Sequence, residues 1–288
     1  MDITLVASDS LGTRSMATFV ETKDCKIFID PAVALGPSRY KLPPHPIELR
    51  RMEEHWEAIK RLANKASIII VTHYHYDHHD PNEPELYKDK NVLLKHPTEK
   101  INRSQAARAE FFLEQLSGLP KSLEYSDGRE FKFGETTIKF SPPVFHGPGP
   151  KLGYVTQVAV RVGDDCFLFT SDIEGPCVDE QAEFILDEDP GIIYLDGPLS
   201  YMLGFRYSQK SLDASLENIS KILRETKVAK LIIDHHFLRD IKWRERLQPV
   251  LEVAEEEGKK ILTAAEFLDK ENEMLEARRR ELYSTGVN

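Results

Sequence analysis

Four consecutive β-branched residues, Ile68-Ile69-Ile70-Val71, stand between Ser67 and the polar stretch that begins at Thr72. A short run of this kind predicts a strand buried on both faces. Strand-like stretches at 3–7, 17–21 and 26–29 predict three further strands, and Pro31 after Asp30 ends the third. Residues 37–46 form a Pro-rich loop. Met52, Trp56, Ile59 and Ala63 then recur at helical spacing, with His55 a structural histidine beside their face. Residues 92–94 predict a strand. A helix over 103–116 carries Ala107, Phe111, Phe112 and Leu116 as core and is stopped by Gly118 and Pro120. Residues 123–140 read as strand, with Asp127-Gly128 and Gly134-Glu135 as hairpin turns. Residues 154–162 and 165–170 make another hairpin through Gly163-Asp164.

The carboxy-terminal third alternates. Strands at 192–195, 231–233 and 261–262 flank helices at 211–225, faced by Leu212, Leu216, Ile219 and Leu223, and at 240–257. Thr263 with Glu266 forms a capping box for a final helix, whose end, Arg278-Arg279-Arg280, suits the negative pole of its dipole. Strand-rich halves followed by helices give an α/β or α+β class. No composition shift marks a boundary, so residues 1–288 read as one domain.

Composition narrows the classes. A formal charge of −10 over 288 residues disfavours a broad nucleic-acid surface, which needs a basic stripe. The three cysteines, Cys25, Cys166 and Cys177, are odd in number and lack a C-x-x-C pair, so a disulfide framework is not expected. The amino terminus shows no basic region followed by an apolar one, and no apolar run approaches the roughly 20 residues of a membrane span. A cytoplasmic protein without a membrane partner is the expectation.

The chemistry lies just past the Ile68–Val71 run, where His73, His75, His78, His79, Asp77 and Asp80 fall within eight residues. His73 and His75 at i, i+2 can face one ion; Asp77 and His78 can face a second. Further donors stand at other predicted strand ends. His146 precedes Gly147-Pro148-Gly149-Pro150. Asp172 follows 166–170, with Glu174 and Asp179 as competing acids. Asp234, His235 and His236 follow 231–233. Adjacent residues after a strand point apart, so one of His235 and His236 is a ligand, while the other, or Asp234, supports an imidazole.

The His-x-His-x-Asp-His pattern, with Asp30, His146, Asp172 and the late histidines in order, resembles the metallo-β-lactamase superfamily over most of the chain, closest to an uncharacterised archaeal branch. The resemblance implies a four-layer αββα sandwich of two mixed sheets with outer helices. It implies one metal on His73, His75 and His146, a second on Asp77, His78 and a late histidine, Asp172 bridging, and Asp30 supporting the ligand loop. His235 followed four residues later by Arg239 is similar to the tail of tRNA-processing members. Phe237 and Leu238 break that match at the intervening serine, so tRNA processing is not implied.

Two divalent ions, zinc first with manganese or iron as alternatives, would supply hydroxide near neutral pH. The expected reaction is attack on an ester, lactone or thioester carbonyl of a small anionic substrate, with Asp77, Asp172 and His235 central. Arg206, Tyr207 and Arg239 are candidate substrate contacts. A phosphodiesterase or nuclease is the alternative, followed by an iron redox site or a non-catalytic metal protein.

Overall fold

A computed structural model describes residues 1–285. The chain divides into two compact units, Met1–Asp127 with the stretch from Glu273, and Gly128–Asn272.

The first unit is built on a six-stranded mixed sheet of β1 (Asp2–Leu5), β2 (Thr18–Glu21), β3 (Lys26–Ile29), β4 (Ile68–Val71), β5 (Asn91–Leu94) and β6 (Ser122–Tyr125), in that order. β1 to β3 meander antiparallel, and β3 to β6 are parallel. Every residue of β4 is buried, as a parallel strand with neighbours on both sides requires. Helix α1 (Pro46–Ala63) starts with a reciprocal cap: His45 Nδ1 accepts from Ile47 N, and Glu48 Oε2 accepts from His45 N. Its neighbour Thr13 meets His55 Nδ1 at 2.7 Å. Helix α2 (Arg103–Gln115) buries Gln105, Ala109 and Phe112. That face lies one step round from the expected one, leaving Ala107 and Phe111 exposed. Two adjacent phenylalanines cannot both face one core at 3.6 residues per turn.

The second unit begins at Gly128. Its seven-stranded sheet has the order β15-β14-β13-β12-β11-β8-β7, from β7 (Glu130–Phe133), β8 (Thr136–Phe140), β11 (Val158–Val162), β12 (Asp165–Phe169), β13 (Ile192–Asp196), β14 (Lys230–Asp234) and β15 (Lys260–Leu262). β12 to β15 are parallel. β9 (Val144–Phe145) and β10 (Tyr154–Val155) pair separately. Helices α3 (Asp179–Glu188), α4 (Gln209–Glu225), α5 (Trp243–Glu256) and the single turn α6 (Ala264–Phe267) connect the parallel strands and follow them. The chain thus has the α/β class expected, with two large mixed sheets. Among the described residues no helix is long and apolar enough to cross a membrane.

Three local expectations change. Gly134-Glu135 does turn a hairpin, Phe133 pairing with Thr136, but Asp127-Gly128 does not. There the Asp127 carboxylate accepts from His96 N at 2.8 Å and from the Lys95 ammonium at 2.6 Å, and the chain leaves the first unit. Residues 154–162 form two strands, parted at Thr156-Gln157. The capping box at Thr263 opens only α6, and Arg279 begins a separate helix, α7 (Arg279–Thr285), in the first unit. Arg279 therefore sits at the positive pole of a helix and its guanidinium is fully buried. It forks onto Glu48, Nε to Oε2 and Nη2 to Oε1 at 2.7 Å each, and donates to the carbonyls of Leu42 and Gly36.

Removing one partner of a buried pair leaves a desolvated charge, which costs about 3–5 kcal/mol. Arg279→Ala should lower stability by about that much in equilibrium urea unfolding, and Arg279→Met with Glu48→Met by far less. A loss under about 1 kcal/mol for Arg279→Ala would show that water reaches the Glu48 carboxylate.

Candidate metal centre

In the first unit the chemistry starts at the carboxyl ends of β3 and β4. Asp30, one residue past β3, has φ +50°, a left-handed conformation that costs a non-glycine residue about 1–2 kcal/mol. It turns the carboxylate toward the loop after β4. Oδ1 accepts from Thr72 N at 2.8 Å, and Oδ2 accepts from Thr72 Oγ1 at 2.6 Å and from His78 Nδ1 at 2.8 Å. Burial pushes the Asp30 carboxyl above its usual range, while the charge of His78 and these hydrogen bonds act against that rise. A carboxylate only accepts, so Nδ1 of His78 carries the proton and Nε2 is left as the donor atom for a metal. The His73 ring lies 4.2 Å from that of His78 and 4.7 Å from that of His75, centroid to centroid. Asp77 Oδ1 is 4.0 Å from His78 Nε2. One ligand atom from each of Asp30, His73 and His78 falls within 4.8 Å of the others.

The fourth histidine of the loop has another task. His79 Nδ1 donates to His75 O at 3.0 Å, and its ring packs on Phe112 and Tyr74. Burial pulls its pKa down to about 3, so it stays neutral. Tyr74 is core, its hydroxyl donating to Lys95 O, whereas Tyr76 is half exposed with the Arg108 guanidinium over its ring.

In the second unit Asp172 lies between two imidazoles. Its Oδ2 is 3.3 Å from His146 Nε2, and its Oδ1 is 3.4 Å from His235 Nε2. Ser171 before it and His235 after β14 both have φ +57°, the same left-handed exit that Asp30 makes. His146 follows β9, with Nδ1 3.6 Å from Glu174 Oε1. Gly147 has φ +78°, and a Cβ there would meet Glu174 Oε2 at 2.3 Å, so another residue would be strained and would have to displace that carboxylate. The His236 ring lies 4.4 Å from that of His235, centroid to centroid, and has a carboxylate partner of its own. Its Nδ1 lies 3.0 Å from both oxygens of Asp196, and its backbone N donates to Oδ1 at 3.1 Å. Asp196 Oδ2 also accepts from Glu174 N at 2.7 Å. Burial, then the charge of Asp172, raises the Asp196 carboxyl well above its usual range. Burial, then the charge of Arg239, lowers His236 well below its own.

The remaining expected residues are distributed as follows. Asp234 caps backbone, accepting from His235 N at 2.7 Å and from Ala264 N at 2.9 Å. Arg239 is buried with Nη2 3.3 Å from both ring nitrogens of His235, which corrects its expected place among substrate contacts. Tyr207 is corrected likewise. It is buried, and its hydroxyl is bonded to Glu174 O at 2.9 Å and Ser215 Oγ at 2.7 Å, so the phenol braces a loop. Arg206 beside it does line a cavity of about 490 Å³, together with His146, Lys151, Glu174, Leu199 and Phe205. Sequence reasoning passed over Asp196 and the bond-making of Glu174. Asp196 stands at the end of an apolar run, as Asp30 does, a position too common to single it out.

No protein-family model matches the chain. It is 57% identical over 284 residues to a UPF0282 protein of Korarchaeum cryptofilum, covering 98% of this chain and 94% of that one. Among solved structures it resembles an isothiocyanate hydrolase from Delia radicum gut bacteria, with TM-score 0.55 at 17% identity over 91% of this chain and 95% of that one. It also resembles YhfI of Bacillus subtilis, a metallo-β-lactamase fold protein, with TM-score 0.52 at 14% identity over 91% and 94%. Zn2+-bound PqqB from Methylobacterium extorquens gives 0.53 at 9% over 91% and 98%. Likeness at such identity shows the fold alone, and that fold is the metallo-β-lactamase one.

Asp30→Asn tests the local wiring. An amide cannot accept from both Thr72 and His78 at once. Either its NH2 opposes the fixed Thr72 N–H, or it donates to Nδ1 and moves the imidazole proton to Nε2. Zinc affinity, measured by chelator competition, should fall about 10–100-fold with an unchanged circular dichroism spectrum. Unchanged affinity would mean that His78 is not held by Asp30 for a ligand role.

Proposed function

The chain belongs to the archaeal UPF0282 family, and we propose that it is a metal-dependent hydrolase of small anionic substrates. The observation that carries the reading is Asp172, whose two oxygens each face a different buried imidazole nitrogen, the disposition of a carboxylate shared by two ions. We assign metal-holding roles to His73, His75, Asp77 and His78 in the first unit and to His146, Asp172 and His235 in the second. His235 is chosen over His236 because its Nε2 lies 3.4 Å from Asp172 Oδ1.

The donor set fits zinc, manganese or iron and no softer ion. It is all imidazole and carboxylate. Burial pushes the Cys166 thiol up to about 11 and the Cys177 thiol up to about 12, and the Cys177 thiol donates to Gln181 Oε1. Divalent ions held there would lower the pKa of a water and polarise a carbonyl or phosphoryl oxygen. Asp77 and Asp172 return two of the four positive charges such a pair brings, so the centre attracts anions in an acidic protein. On the cavity wall Arg206 and Lys151 would orient an anionic substituent, and Phe205, 83% exposed, would cover its apolar body. Asp30 holds the His78 proton on Nδ1, and burial keeps His236 neutral beside Asp196. Carbonyl esters, lactones and thioesters lead the reading because the cavity has an apolar wall as well as its cations. Phosphodiesters come second, since a guanidinium serves phosphate as well as carboxylate.

Purified protein reconstituted with zinc, manganese or iron should hold close to two ions per chain by elemental analysis. Asp172→Asn keeps volume but loses the charge and one donor oxygen. It should lose one ion before the other, with hydrolysis across a panel of esters, lactones, thioesters and phosphodiesters down by orders of magnitude. Its unfolding midpoint should stay near wild type, since no apolar area is deleted. Metal content near zero after reconstitution defeats the proposal. Full metal content and turnover in Asp172→Asn would move the shared carboxylate to another acid.

A further inference from the structure

Between the two segments that carry His146 and Asp172 lies a buried side chain that neither metal chemistry nor sequence pattern singles out. Gln181, in the first turn of α3, is fully inaccessible to solvent. Its Nε2 donates to Phe145 O at 2.9 Å and Gly147 O at 2.9 Å, the carbonyls on either side of His146. It also reaches Ile173 O, between Asp172 and Glu174, at 3.2 Å. The orientation of the amide is unambiguous, because Oε1 accepts from Val178 N at 3.1 Å and from the Cys177 thiol. The helix backbone behind it is held in turn, Gln157 Nε2 donating to Gln181 O at 2.9 Å.

We infer that Gln181 is a positioning residue that sets the spacing of His146 to Asp172, an inference that rests on the metal-centre reading above. One NH2 group, its two N–H donors shared among three carbonyls, draws the β9 exit and the β12 exit to a common point. Among the described residues no ladder joins those exits, β9 pairing with β10 alone. The 3.3 Å approach of His146 Nε2 to Asp172 Oδ2 is then fixed by backbone carbonyls one residue from each side chain. Glutamine suits this place because it donates at one end and accepts at the other. Glutamate would set a carboxylate against three carbonyls, methionine would leave those carbonyls without their donor, and asparagine is one methylene too short.

The test uses the full chain loaded with cobalt(II), whose visible bands report coordination geometry. Gln181→Met should shift the band positions or intensities and speed cobalt release to a chelator about tenfold or more. Thr226→Val is the control: the buried Thr226 hydroxyl donates to Ile222 O at the end of α4, and its loss should lower stability while leaving spectrum and release rate at wild-type values. If Gln181→Met only lowered the unfolding temperature, with wild-type bands and release, Gln181 would be merely structural and the inference overturned. A second measurement needs neither a variant nor a metal. In the metal-free wild type, the Gln181 side-chain amide protons should exchange at least about a hundredfold more slowly than those of surface Gln115 by NMR. Exchange at the surface rate overturns the clamp whatever the metal content, whereas slow exchange in a protein that binds no metal would sink the hydrolase reading and leave the clamp standing.

Discussion

Three buried aspartates at the carboxyl ends of parallel strands obey one constraint. A loop that leaves a buried strand carries backbone N–H groups with no ladder to join, and each needs an acceptor. Asp30 after β3 takes Thr72 N from the loop after β4, its neighbour in the sheet. Asp196 at the end of β13 takes Glu174 N from the loop after β12 and His236 N from the turn after β14. Asp234 at the end of β14 takes Ala264 N from the segment after β15. In each case the carboxylate of one strand fastens the loop of the next. The loops bearing histidines are thereby tied down by the protein's own carboxylates, and residues at Asp30, Ser171, Glu174 and His235 adopt left-handed conformations against their local preference.

This arrangement explains what could be read from the chain and what could not. The run Ile68–Val71 and the donors after it are legible because burial on both faces demands an unbroken apolar strand, and metal-ligating side chains are rare enough to stand out in a row. The sheet-forming runs, the helical faces of α1 and α4, and hence the fold class, follow from periodicity in the same way. Asp196 and Gln181 leave no such trace. Aspartate at a strand end and glutamine in a first helical turn are common residues in common places, and their importance comes from partners 22 and 36 positions away in sequence. Tyr207 and Arg239 mislead for the converse reason. A phenol and a guanidinium near a strand end suggest ligand contacts, but both are buried and their polar groups serve the protein's own Glu174 and His235.

The misread carboxy-terminal arginines illustrate a limit of local rules. A basic cluster after a capping box fits the negative pole of one long helix, and dipole reasoning alone favours that choice. What decides against it is Glu48, a carboxylate desolvated by the cap of α1, which stabilises a buried cation more than a helix end does. Long-range charge pairing overrides a preference worth tenths of a kcal/mol.

The same pair orders events in time during synthesis. Glu48 and Arg279 are 231 residues apart, so at about 5–20 residues per second the carboxylate waits roughly 10–50 s for its guanidinium. The second unit, by contrast, is contiguous from Gly128 to Asn272 and is complete before Arg279 is made. All residues of the later unit are therefore synthesised while the earlier one still lacks the partner of its buried acid. The first unit, although begun first, is the one whose buried ion pair is completed last.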